Sequence, residues 1–172
     1  MDTTPNANYR KVVIARIAAT LKPLGFRRKA MTFTRAQGDV LQFVNVQAST
    51  SSTADILKLT VNLAVYSEEV NQILNPGDDI GCGGWLDNHW RDRIGSLTDD
   101  RQDVWWTITN TTEAENSGNE IAALLVKSGM DVLALHSSTL DLVPRIPIRP
   151  GGYNERVVEA WLAKQDGRDI SP

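Results

Sequence analysis

One cysteine, Cys82, stands in 172 residues, so no intramolecular disulfide can form. A lone thiol fits a reducing compartment and a core that holds without cross-links. Histidine is almost as scarce, with only His89 and His136. A zinc site needs about four ligands at workable spacings, and Cys82 and His89 match no short ligand knuckle. Asp78-Asp79 and Asp99-Asp100 sit in breaker-rich stretches and read as solvated loop acids, without the oxygen-ligand register that calcium needs. No metal and no cofactor is expected. No apolar run approaches the roughly 20 residues that span a bilayer, so no membrane segment is expected. The opening Met1-Asp2-Thr3-Thr4-Pro5 lacks the basic and then apolar segments of a secretory leader, and the expected location is the cytoplasm. There is no GxSxG elbow. Gly81-Cys82-Gly83-Gly84 is glycine-rich, but no P-loop Lys-Ser/Thr follows it.

What is present is ordinary globular material. Apolar residues make up 41% and charged residues 23%, which excludes whole-chain disorder. The length suits a single domain, residues 1–172. The net charge of -3 hides an uneven distribution. Residues 1–35 hold eight Lys/Arg and one acid, whereas residues 36–100 hold three bases and ten acids. The plain explanation is that these charges face each other or spread over the surface. Overall acidity argues against a nucleic-acid partner for the basic N-terminal segment.

The clearest element is Ile56 to Tyr66. Leu57, Leu59, Val61, Leu63 and Val65 alternate with Lys58, Thr60, Asn62 and Ala64, the period of a half-buried strand. Before it, Thr4-Pro5 caps a helix whose Val13, Ile17, Leu21 and Leu24 form an apolar stripe, stopped by Pro23 and Gly25. Phe26–Arg35 reads as a first strand, and Gln37-Gly38-Asp39 as a turn into a second, Val40–Gln47. Ser67-Glu68-Glu69 starts a short helix, and Asp103–Thr109 is a fourth strand. Thr112 and Glu115 resemble a capping box, with Gly118 weakening the helix they open. Asn154–Lys164 is a final amphipathic helix. The expected fold is α+β: an antiparallel sheet of about four strands, with the N-terminal and C-terminal helices mainly on one face.

That arrangement leaves a polar face. Thr32, Thr34, Gln42, Asn45 or Gln47, Thr60 and Asn62 would line one shallow surface. Trp85, Trp90, Trp105 and Trp106 lie within 22 residues, with Arg91, Arg93 and Arg101 among them. Trp and Arg are enriched at binding hot spots, so Asn45, Gln47, Thr60, Asn62, Trp90, Arg91, Arg93 and Trp105 are the candidate binding residues. Core packing is the competing role for any of these tryptophans. No catalytic residue is assigned. The leading expectation is a non-catalytic module that binds another protein. A small-ligand binder or enzyme using the loop around Cys82 and His89 is one alternative, and nucleic-acid binding through the basic N-terminal segment is the other. Arg27-Arg28-Lys29 is explained by an exposed strand end, or more sharply by contact with phosphate or an acidic partner.

Leu21-Lys22-Pro23-Leu24-Gly25-Phe26-Arg27-Arg28-Lys29, Thr32–Arg35, Phe43–Gln47, Leu59–Tyr66, Trp90-Arg91, Arg93-Ile94-Gly95 and Trp105-Trp106 together resemble a bacterial family known only as domain of unknown function 4304. The resemblance covers roughly residues 10–110 and implies a compact α+β domain without an established activity. The family's usual Gly after the basic run stands here as Ala30, which implies a packing position rather than a chemical one.

Overall fold

The computed structural model describes residues 4–74, 88–98, 100–148 and 153–167. The first helix, α1, is Pro5–Leu21, with proline as its first residue and the Thr4 hydroxyl accepting from the Ala7 N–H. Six strands follow: β1 Arg27–Lys29, β2 Thr32–Gln37, β3 Val40–Ala48, β4 Leu57–Ser67, β5 Trp90–Arg93 and β6 Trp106–Ile108. They form one antiparallel sheet in the order β1-β2-β3-β4-β5, with β6 also paired to β4. The class is α+β, with six strands rather than about four. The remaining helices are α2 Glu68–Leu74, α3 Thr111–Leu124, α4 Met130–Ala134, α5 Thr139–Leu142 and α6 Tyr153–Gln165.

The chain divides into two compact units. The first holds residues 1–35, 43–63 and 92–132, and the second holds 36–42, 64–91 and 133–172. In the first unit, α1 buries Val13, Ile14, Ile17 and Leu21 and packs on α3. Asn6 anchors the start of α1, donating to the Thr53 carbonyl at 2.7 Å and the Ile56 carbonyl at 3.2 Å. Gly118 is where α3 meets α1: a Cβ there would lie 2.9 Å from the Arg16 Cβ. The glycine that weakens the helix in isolation is what lets the two helices approach. The α3 cap is Asn110, whose Oδ1 accepts from the Glu113 N–H at 2.9 Å while Glu113 Oε2 accepts from the Thr109 N–H at 2.7 Å. The capping box is therefore two residues upstream of Thr112 and Glu115. A π-helical turn, Leu125–Gly129, links α3 to α4.

In the second unit, buried Gln42 donates to the carbonyls of Leu133 at 2.6 Å and His136 at 3.2 Å, which ties β3 to the end of α4, where the Leu133 oxygen also accepts from the His136 N–H at 3.1 Å. Ser67, at the end of β4, shares a 2.6 Å hydrogen bond with Thr139 at the start of α5, and its Oγ accepts from the Val70 N–H. The loop with Cys82 and Trp85 lies outside the described residues, as does the pair formed by Asp78 and Asp79.

The expected single strand from Phe26 to Arg35 is a hairpin instead. β1 and β2 pair in the register Arg28 opposite Phe33, across a two-residue turn of Ala30 and Met31. Ala30 has φ +52° and is exposed, so this position is set by backbone conformation and not, as expected, by packing. The left-handed region costs an L-residue about 1–2 kcal/mol, partly offset by the greater freedom that glycine gives the unfolded chain. Ala30→Gly should therefore raise stability by about 0.5–1 kcal/mol. A urea midpoint shifted upward with an unchanged slope is the expected result. A downward shift would show that the turn is not strained.

Candidate functional site

The residues expected to form an open polar face are inside. β4 is buried along both of its faces, and from Leu57 to Ser67 only Lys58 is part-exposed. Thr60 is 0% exposed, Asn62 3% and Asn45 8%. Each is hydrogen-bonded: Thr60 Oγ1 donates to the Val104 carbonyl at 2.9 Å, Asn62 Nδ2 to Gln47 Oε1 at 3.0 Å, and Asn45 Nδ2 to Thr32 Oγ1 at 2.8 Å. Gln42 is buried as well, and Gln47, Thr32 and Thr34 are half-buried. Buried polar groups hold their place only when paired, and these are paired with one another or with backbone. Within the first unit these are internal polar pairs, and the shallow surface expected from the alternation is not there. Thr60→Val keeps the shape and orphans the Val104 carbonyl. It should cost about 1–2 kcal/mol, read from chemical denaturation; an unchanged midpoint would mean the hydroxyl is not structural.

The aromatic and basic candidates separate. Trp90 is buried in the second unit, tilted against His136 with ring centroids 4.2 Å apart. Arg91 is exposed. His89 is buried there too, stacked on Tyr66 at 5.2 Å, and its Nδ1 accepts from the Ser67 N–H at 3.1 Å. That bond fixes a neutral imidazole protonated on Nε2. Tyr66 in turn donates to Glu68 Oε2 at 2.5 Å, and this bond, followed by one from Gln72, holds the Glu68 carboxyl below the usual carboxylate range.

Arg93 and Trp105 do come together, in the first unit. The Arg93 guanidinium carbon lies 5.2 Å from the Trp105 ring centroid and the Lys58 ammonium 5.7 Å from it. Asp103 Oδ2 accepts from Trp105 Nε1 at 3.0 Å and pairs with Arg93. The indole, half-exposed, is thus held by two cations and a carboxylate. The sequence pattern shows neither Lys58 nor Asp103 as a partner. Lys58 reaches the cluster only because β4 pairs with β6, with Lys58 opposite Thr107. Gly95 fixes the approach of the segment that carries Asp103 and Trp105. A Cβ there would sit 2.2 Å from the Gln102 carbonyl oxygen and 2.6 Å from the Val104 nitrogen.

Two cavities lie in the first unit. One, about 540 Å³, is walled by α1 and β1. The other, about 650 Å³, gathers Asp92, Ser96, Thr98, Arg101, Lys127 and Asp131, so its two cations face two acids. Among the described residues, no group of three or more His, Cys, Asp or Glu could hold a metal ion. Among the same residues, no single helix is long and apolar enough to cross a membrane.

Residues 17–135 match the family model described as domain of unknown function (DUF4304). The chain belongs to this family. The match runs past residue 110 and takes in α3 and α4, so the helical segment beyond β6 is part of the DUF4304 pattern. Both the Trp105 cluster and the cavity beside α1 lie within it, whereas α5 and α6 lie outside. No curated protein and no solved structure matches the chain.

Asp103 makes the Trp105 cluster sensitive to acid. Its carboxyl is held below the usual range, first by Arg93 and then by the Trp105 N–H. A depressed carboxyl stabilises the fold fully above its unfolded value of ~3.9 and loses that contribution as pH falls through the lower folded value. Tryptophan fluorescence should therefore change on acidification below about pH 4, and Asp103→Asn should remove that component. An identical acid profile in the variant would show that Asp103 does not hold the indole.

Proposed function

We propose that this DUF4304 domain is a non-catalytic protein-interaction module of the cytoplasm, and that Trp105 with Arg93 and Lys58 is its contact surface. The observation that carries this reading is the indole clamped while half-exposed. A large aromatic held in one orientation loses little freedom on binding, and binding energy concentrates in such Trp and Arg anchors. The flanking cations are already on the ring, where each contributes about 0.5–1 kcal/mol at an exposed site. A partner that stacks on the indole meets these charges beside the ring, which sets its orientation. The described imidazoles, His89 and His136, are buried at 8% and 3% exposure and face aromatic rings, an arrangement suited to packing.

Affinity capture of the native protein, with the captured partner then titrated against purified variants, tests this. Trp105→Ala should weaken binding at least about 30-fold, the ~2 kcal/mol of a hot-spot truncation. Arg93→Ala should weaken it less, and Glu120→Ala, an exposed change on α3, should leave it alone. A partner that binds Trp105→Ala and wild type equally, with both folded by circular dichroism, would rule out this surface.

A further inference from the structure

The cavity beside α1 has a different character from the Trp105 surface and carries an inference independent of it. Helix α1 stops at Leu21, a single 3-10 turn covers Lys22–Leu24, and Gly25 at φ +86° turns the chain back. Phe26 then enters the core at 4% exposure, and Phe33 of β2 lies beside it at 1%. Phe26, Phe33 and Ala18 make the apolar part of the lining, and Lys22, Arg27 and Arg28, all exposed, are its charged part. The volume, about 540 Å³, lies inside the range of small-molecule sites.

Two features point to a negative ligand. Among the described residues, no acid lines the cavity and none of its three cations is in an ion pair. The carbonyls at the helix end, which would repel an anion, are already taken. The Leu21 oxygen accepts from the Phe26 N–H at 3.2 Å, the Lys22 oxygen from the Gly25 N–H at 3.1 Å, and the Leu24 oxygen from Arg35 at 3.1 Å. Arg35 also sits over the Phe26 ring, 4.6 Å from its centroid, and so steadies the aromatic lining. Cations on an edge strand do discourage unwanted pairing. That role accounts for Arg27 and Arg28, but it needs no cavity, and Lys22 is on the helical turn and not on the edge.

We propose that this cavity binds a small amphipathic anion. An apolar body lies against Phe26, Phe33 and Ala18, and a carboxylate, sulfonate or phosphate head meets Lys22, Arg27 and Arg28. The shared chemistry is an apolar chain or ring with one terminal oxyanion.

Fluorescence titration of the full chain with 8-anilinonaphthalene-1-sulfonate tests this, with the uncharged N-phenyl-1-naphthylamine as its counterpart. The sulfonate should bind saturably at one site. Binding should weaken at least ten-fold in Lys22→Glu/Arg28→Glu and fall with salt, while the uncharged probe binds more weakly and ignores the charge reversal. Ala18→Phe, which fills the cavity and leaves every charge in place, should abolish the signal and keeps the test decisive if the double variant misfolds. Decanoate and decyl phosphate should both displace the sulfonate, and their relative potency identifies the preferred head group. Sulfonate binding that survives both the charge reversal and Ala18→Phe would overturn the proposal. So would inorganic phosphate displacing the probe as well as decyl phosphate does, because a bare cationic patch would then explain the binding.

Discussion

A strand buried on both faces must find a partner for every polar side chain it carries, and β4 is such a strand. Its odd-numbered face from Leu57 to Val65 is wholly apolar and would pack under any helix. Its other face holds Thr60 and Asn62 at essentially no exposure, and there the requirement becomes specific. Thr60 is satisfied only because the Val104 carbonyl is brought to it. The backbone from Gln102 to Val104 therefore has to lie close in, and it can do so because residue 95 is glycine. One hydrogen bond thereby fixes where Asp103 and Trp105 emerge. The indole meets Lys58 of the same strand, two residues from Thr60. The proposed contact surface is thus a consequence of polar satisfaction in the interior.

The same strand shows what a sequence can reveal. Alternation over eleven residues announces two faces and a strand, and both are there. It does not say whether the second face meets water. Thr and Asn suit a solvated stripe and a paired internal layer equally well, and the choice depends on segments some forty residues away in the chain, such as Val104. The helices were legible where the signal is local: Thr4-Pro5 at the start of α1, and the apolar spacing of α6. The β1–β2 hairpin was not, because its left-handed turn residue is Ala30 and carries no glycine or asparagine signal. The capping box of α3 was displaced by two residues because Thr112 and Glu115 have the same spacing as Asn110 and Glu113, and only the latter pair makes the bonds.

Glycine meaning was also tertiary. Gly118 reads as a defect in a helix taken alone and as a helix–helix contact once Arg16 and Val13 lie against it. Among the binding candidates, Arg93 and Trp105 meet because both flank the tightly held segment, and their separation of twelve positions is bridged by Gly95 and the backbone above it. Trp90 looks identical by composition, yet it is a core ring against His136. Residue type marked the right class of side chain and could not say which members reach the surface.

The uneven charge along the chain now divides in a physically useful way. Arg16 of the basic segment pairs with Glu115, which belongs to α3 and lies outside residues 36–100. At the Trp105 surface the cations are already spent on a ring and a carboxylate, so a partner there gains orientation more than net attraction. Beside α1, Lys22, Arg27 and Arg28 keep their field, and the aromatic floor lowers the local dielectric below that of open solvent. An anion with an apolar body draws on both properties at once, whereas a bare ion draws on the first alone. That difference is why the two places should select ligands of different chemistry, even though both are built from arginine, lysine and aromatic rings.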